Sequence, residues 1–159
     1  MERISSHISY KEAIRSSTAS KYGIDNNPNP WQLENMKAWA KHIFEPLRLW
    51  VGGAIRINSF FRSPEVNKKV GGSKTSSHMK GQAGDIDDTH QYKTNKEMFY
   101  YIKENLSFDQ LIWEFGDDEN PDWIHVSYVS HLENRCQVLR AIRFTDRGGR
   151  RRVKYIPYV

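Results

Sequence analysis

Phe108-Asp109-Gln110-Leu111-Ile112-Trp113-Glu114-Phe115 is followed by the polar turn Gly116-Asp117-Asp118-Glu119-Asn120-Pro121, and then by Trp123-Ile124-His125-Val126-Ser127-Tyr128-Val129-Ser130. Two runs rich in aromatic and β-branched residues, separated by turn formers, read as two strands of a hairpin. Upstream, Ala54 to Phe60 alternates around Ile55, Ile57 and Ser59, and Asp85 to Asp87 forms another short strand, approached through Gly81, Ala83 and Gly84. Downstream, Val138 to Phe144 reads as a further strand. Before all of these comes helical spacing. Asn29 as N-cap and Pro30 at the first helical position open a helix in which Leu33, Met36, Trp39, Ala40, Ile43, Leu47 and Trp50 recur at steps of three and four. Pro46 is expected to kink that helix or end its regular part, and Gly52-Gly53 to stop it. Ser9 to Ser17 reads as a short helix, and Thr94 to Leu106 as a second amphipathic one. Helices first and hairpin-linked strands after predict an α+β domain: an antiparallel sheet with N-terminal helices packed on it.

The chain has 159 residues, 38% hydrophobic and 27% charged. A domain of that length removes roughly 68–70% of its unfolded surface from water, so one domain over residues 1–159 needs no staples. No apolar run is long enough to insert into a membrane, and Met1-Glu2-Arg3 leads into Ser5-Ser6-His7 rather than an apolar signal core. The reading is a protein made in the cytoplasm without a signal peptide. Cys136 is the single cysteine, which excludes an internal disulfide and thiolate-rich metal centres, so any metal must be held by His, Asp or Glu. The net charge is +5, and Arg135 to Lys154 carries eight Lys or Arg against one acid, Asp146, which leaves −2 for the rest. Such a basic end suits a polyanion such as an anionic cell wall, or an exposed strand edge kept from aggregating. No helix–turn–helix, zinc-finger or RNA-recognition pattern accompanies it, so no specific nucleic-acid partner is expected.

Ser76-Ser77-His78-Met79-Lys80-Gly81-Gln82-Ala83-Gly84-Asp85 places a His in a turn and an Asp seven residues later on a strand, separated by small residues that let the backbone fold back. Imidazole nitrogen and carboxylate oxygen are both good Zn²⁺ donors, and two from one loop call for a third. His125 is the candidate. It interrupts an apolar strand, where an unpartnered imidazole would be costly.

The pattern Ser-x-His-x-x-Gly-x-Ala-x-Asp, met by Ser76, His78, Gly81, Ala83 and Asp85, with Trp123-Ile124-His125 after it, resembles the M15 zinc peptidases. That family comprises D-Ala-D-Ala carboxypeptidases and related peptidoglycan peptidases, including phage endolysins. The resemblance extends to Ser16-Ser17-Thr18-Ala19 with Gly23-Ile24-Asp25-Asn26, to Asn58 through Asn67, and to Val70 through Thr75, and is closest to the compact, phage-associated branch. It implies a fold like that of the DD-peptidases and hedgehog domains. It also implies zinc held by His78, Asp85 and His125 with one position left open, and Arg62 binding a substrate carboxylate or polarising the scissile carbonyl. Ser76 either donates to substrate or ties the turn.

Hydrolysis also needs a general base, and two carboxylates compete for that task. Asp122 stands three residues before His125, as the catalytic acid does in many family members, and is favoured narrowly over Glu114, which ends the neighbouring strand between Trp113 and Phe115. The function expected is zinc-dependent hydrolysis of peptide bonds in peptidoglycan stem peptides or cross-links, as a D,D-carboxypeptidase or endopeptidase of lysin type. The chain would act as a monomer at the cell wall or periplasm once released. The alternative is a non-catalytic, zinc-containing cell-wall-binding module on the same fold.

Overall fold

A computed structural model describes residues 3–159. In chain order the elements are β1 (Arg3–Ser5), β2 (Ile8–Ser9), α1 (Tyr10–Ala13), α2 (Ser17–Tyr22), α3 (Pro30–Trp39), α4 (Glu45–Val51), β3 (Arg56–Ser59), α5 (Pro64–Lys69), β4 (Ala83–Asp87), α6 (Asn95–Asn105), β5 (Gln110–Glu114), β6 (Trp123–Ser127), β7 (Gln137–Thr145) and β8 (Arg151–Pro157). The α+β class is as expected, with α1 shorter than the periodicity suggested and a separate helix, α2, following it. Helix α3 starts with a complete capping box, Asn29 and Gln32 each accepting the other's backbone N–H, and α6 starts with another between Thr94 and Glu97.

Pro46 acts before its own position. Its ring nitrogen carries no hydrogen, and the turn leading to it, Ala40–Phe44, widens into a π-helix in which the Glu45 N–H reaches back to the Ala40 carbonyl. The helix therefore continues through Pro46 into α4 and ends at Gly52, whose φ of 75° provides the left-handed cap. Met36, Trp39, Ile43, Phe44 and Leu47 on this helix are buried in the core.

The six-stranded sheet runs β3-β4-β6-β5-β7-β8. It is mixed rather than antiparallel, because β7 pairs parallel to β5 while every other neighbour is antiparallel. The cause is the loop after β6. Asp109, at the start of β5, accepts two hydrogen bonds from the Arg135 guanidinium at 2.9 and 2.8 Å and one from its backbone N–H. That clamp, with the Cys136 N–H on the Phe108 carbonyl, brings the chain back to the beginning of β5 and starts β7 in the same direction. The basic C-terminal run forms β7 and the edge strand β8, and the residues on β8 fit the edge role that lysines and arginines often serve.

One face of the sheet carries Ile57, Ile86, Ile124, Val126, Leu111 and Trp113 into the core with the helices. Trp39 lies against β4 so closely that a Cβ on Gly84 would clash with its ring, and its indole N–H donates to the Val126 carbonyl at 3.0 Å. Helix α3 thus fixes β4 and β6 from behind. The opposite face carries Asp85, His125 and Glu114. No helix among the described residues is long and apolar enough to cross a membrane.

Candidate metal and catalytic site

Three segments converge on the open face. Gly81, with φ 72°, ends the 3-10 turn Ser77–Lys80, and a Cβ there would meet the Gln32 carbonyl at 2.5 Å, so the turn can pack this closely only with glycine. The turn presents His78, β4 presents Asp85, and β6 presents His125 directly opposite Asp85 in the register. Among the described residues these three form the group of His, Cys, Asp or Glu able to hold a metal, their ligand atoms all lying within 4.8 Å of one another.

The donor set fits zinc. His78 is buried, and its Nδ1 lies 2.7 Å from the Phe60 carbonyl, a contact that needs the proton on Nδ1 and leaves the Nε2 lone pair facing Asp85. Asp85 Oδ1 is 3.3 Å from His78 Nε2 and 2.9 Å from His125 Nδ1. Burial alone would push the Asp85 carboxyl up, but without a metal the charge and N–H groups of the His78 and His125 rings in their protonated forms hold it far below the usual carboxylate range. It stays an anion, as a metal ligand must.

Arg62 and Ser76 stand beside this group. The Arg62 backbone N–H bonds the His78 carbonyl, and its Nη2 donates to Ser76 Oγ at 3.3 Å. Ser76 Oγ also accepts the His78 N–H, so it ties the turn and holds the guanidinium. Burial lowers the Arg62 pKa while Asp85 raises it, and Nε is buried without a hydrogen-bond partner. A guanidinium so placed has a donor free for a planar acceptor.

The two carboxylates proposed as base occupy different settings. Asp122 has a half-exposed side chain 3.9 Å from Arg143, and its backbone N–H closes the hairpin onto the Glu114 carbonyl. Glu114 is 7% exposed, on the same face as His125. Burial raises its pKa to about 7. His125 opposes the rise, Asp85 adds to it and Arg143 opposes it. The next residue, Phe115, has a left-handed φ of 57° and packs edge-on to Trp123, with the Arg143 guanidinium 3.5 Å from its ring centre.

Asp87 and Asp88 are structural: their carboxylates accept from Asn95, and Asp88 also from Asn120. His42 stacks on Tyr128 with His131 edge-on to it, and His7 pairs with Glu45. Tyr155 escaped the sequence reading. It lies on β8 opposite Ala141, which in turn pairs with Glu114, and the charges of Glu114 and Asp85 add to burial in raising its pKa. Its signal, the alternation Arg151, Val153, Tyr155, is obscured by the surrounding arginines.

Arg62→Lys is expected to leave zinc content and fold unchanged but to lower turnover at least tenfold, because an ammonium cannot reproduce two-point planar contact. Steady-state kinetics with metal analysis checks it, and an unchanged rate would reduce Arg62 to a structural tie.

A comparison with curated proteins gives no match. The family model described as Peptidase M15 matches residues 6–127, a span that contains all three metal-site residues, Arg62, Ser76, Glu114 and Asp122. With more than half of its length matched, the chain belongs to the M15 peptidase family.

Proposed function

We propose that the protein is a zinc peptidase that hydrolyses peptide bonds in peptidoglycan stem peptides or cross-links. The observation that carries this reading is the convergent His78–Asp85–His125 group in an M15 chain, with the buried carboxyl of Glu114 on the same sheet face. Zinc at that group supplies Lewis-acid polarisation of the scissile carbonyl and activation of water.

The chain's own residues do the rest. Phe60 fixes the His78 tautomer, and Asp85 keeps its negative charge between the two rings. Arg62 directs a guanidinium at the substrate carbonyl or carboxylate. Glu114 accepts the proton of the attacking water and delivers it to the amine nitrogen as the C–N bond breaks, a role that suits a carboxyl whose pKa lies near neutrality. We therefore assign the base to Glu114 rather than Asp122. The basic strands β7 and β8 suit attraction to an anionic wall.

Purified muropeptides incubated with the protein and read by mass spectrometry are expected to show defined peptide cleavage that stops with a chelator and returns with zinc. Absence of cleavage at saturating zinc, or cleavage indifferent to the chelator, would overturn the reading.

A further inference from the structure

Tyr155 stands on the face that carries Asp85, His125 and Glu114. The register runs from Glu114 to Ala141 to Tyr155 across β5, β7 and β8, and partners in register share a face. Ala141 is fully buried although it lies on that open face, so the larger side chains beside it, Glu114 and Tyr155 among them, close over its methyl group. Four strand spacings, about 19 Å, separate β8 from β4, yet the charges of both Glu114 and Asp85 act on the phenol. The ring therefore leans inward over Ala141 toward the metal group. Burial and those charges raise its pKa, which keeps the hydroxyl protonated and able to donate. That hydroxyl is also unused. Tyr10 bonds Asn27, Tyr100 and Tyr158 bond each other, and Tyr128 accepts the His131 backbone N–H, whereas among the described residues the Tyr155 hydroxyl has no hydrogen-bond partner. With 55% of its surface exposed, the residue is open to a ligand arriving from solvent.

Arg62 follows β3 at one edge of the sheet and Tyr155 lies on β8 at the other, with the metal group and then Glu114 between them. A peptide laid across the strands meets them in that order. The direction of the chain rests on the peptidase reading, in which Glu114 gives its proton to the amine nitrogen as the C–N bond breaks. The part of the substrate that continues from Glu114 toward β8 is then the amine half. We propose that Tyr155 is a substrate-binding residue whose hydroxyl donates a hydrogen bond to a carbonyl or carboxylate oxygen in the amine half of the cleaved peptide. Because Tyr155 lies outside the segment matched to the family, the final hairpin contributes to the choice of leaving group.

The test compares the full-length parent with Tyr155→Phe, which keeps the ring and removes only the hydroxyl, and uses the two products of the muropeptide bond that the parent cuts. Calorimetric titration of the zinc-loaded proteins is expected to show the Kd of the amine product raised about 3–10-fold in the variant, the worth of one hydrogen bond, with the Kd of the acyl product unchanged. The kcat/KM for the intact muropeptide should fall by a similar factor, while zinc content and Tm stay as in the parent. An unchanged Kd for the amine product would overturn the proposal. So would weaker binding of the acyl product, alone or equally with the amine product, since the hydroxyl would then serve another part of the site. A parent that cuts muropeptides while Tyr155→Phe binds both products as tightly leaves the peptidase reading standing and removes only the role of Tyr155. A parent that cuts nothing removes both.

Discussion

Glu114→Gln is expected to retain one zinc per chain and lose about 10²–10⁴-fold in kcat, the usual worth of general acid–base catalysis. The same substitution has a second signature that requires no substrate. Glu114 has a pKa of about 7 in the folded protein, against an ordinary value of 4.5, because burial disfavours its charge. Between those two values the folded state holds a proton that the unfolded chain has released, so stability falls as pH rises from below 4.5 through 7. The shift corresponds to about 3 kcal/mol. Metal-free Glu114→Gln should therefore be more stable than the parent at pH 8 by an amount of that order, and nearly equal to it at pH 4. Denaturant melts of the chelated proteins at both pH values measure the difference. Asp122→Asn, which alters a half-exposed group beside Arg143, should remain close to full activity. Full turnover of Glu114→Gln at saturating zinc, with loss in Asp122→Asn, would exchange the two roles.

A larger loss is expected from the ligands. His125→Ala and Asp85→Asn should each abolish stoichiometric zinc and reduce hydrolysis to the level of the chelated parent. Three protein donors are the minimum for a catalytic zinc site, and Asp85 is the atom on which both imidazoles converge. Zinc binding by the parent should also weaken in acid, as protonated imidazole cannot ligate. Plasma-emission metal analysis after gel filtration decides the matter, and a variant that kept full zinc would not have lost a ligand.

Much of this was legible in the sequence where the cause is local. Asn29-Pro30 and Thr94 with Glu97 announce helix starts because a cap is a contact across three residues. His78 and Asp85 are readable because Gly81 and Gly84 between them mark a backbone packed against α3. The parallel pairing of β7 was hidden, since it depends on Asp109 meeting Arg135 across two strands and a loop. The π-helix was hidden for another reason: Pro46 signals a disturbance but not the register in which the helix absorbs it. The preference for Asp122 rested on a three-residue spacing before His125. Dryness at Glu114 comes from the packed sheet around it, including the buried Ala141 on β7, and no local pattern reports that.

Strands β7 and β8 lie beyond the segment matched to the family, yet Ala141 and Arg143 adjoin Glu114, and Tyr155 follows one strand further out. The metal donors come from a different part of the chain. The acidity of Glu114, the proposed base, is therefore set in part by a strand outside the metal group, while Asp85 and His125 act on it as well. With Glu114 as the proposed base, an exchange at Arg143 is expected to move the pH dependence of hydrolysis without altering any of the three candidate ligands. Related chains that share the central motif and differ in their final hairpin are thus free to drift toward acidic or alkaline surroundings by changing a region that carries none of the ligands.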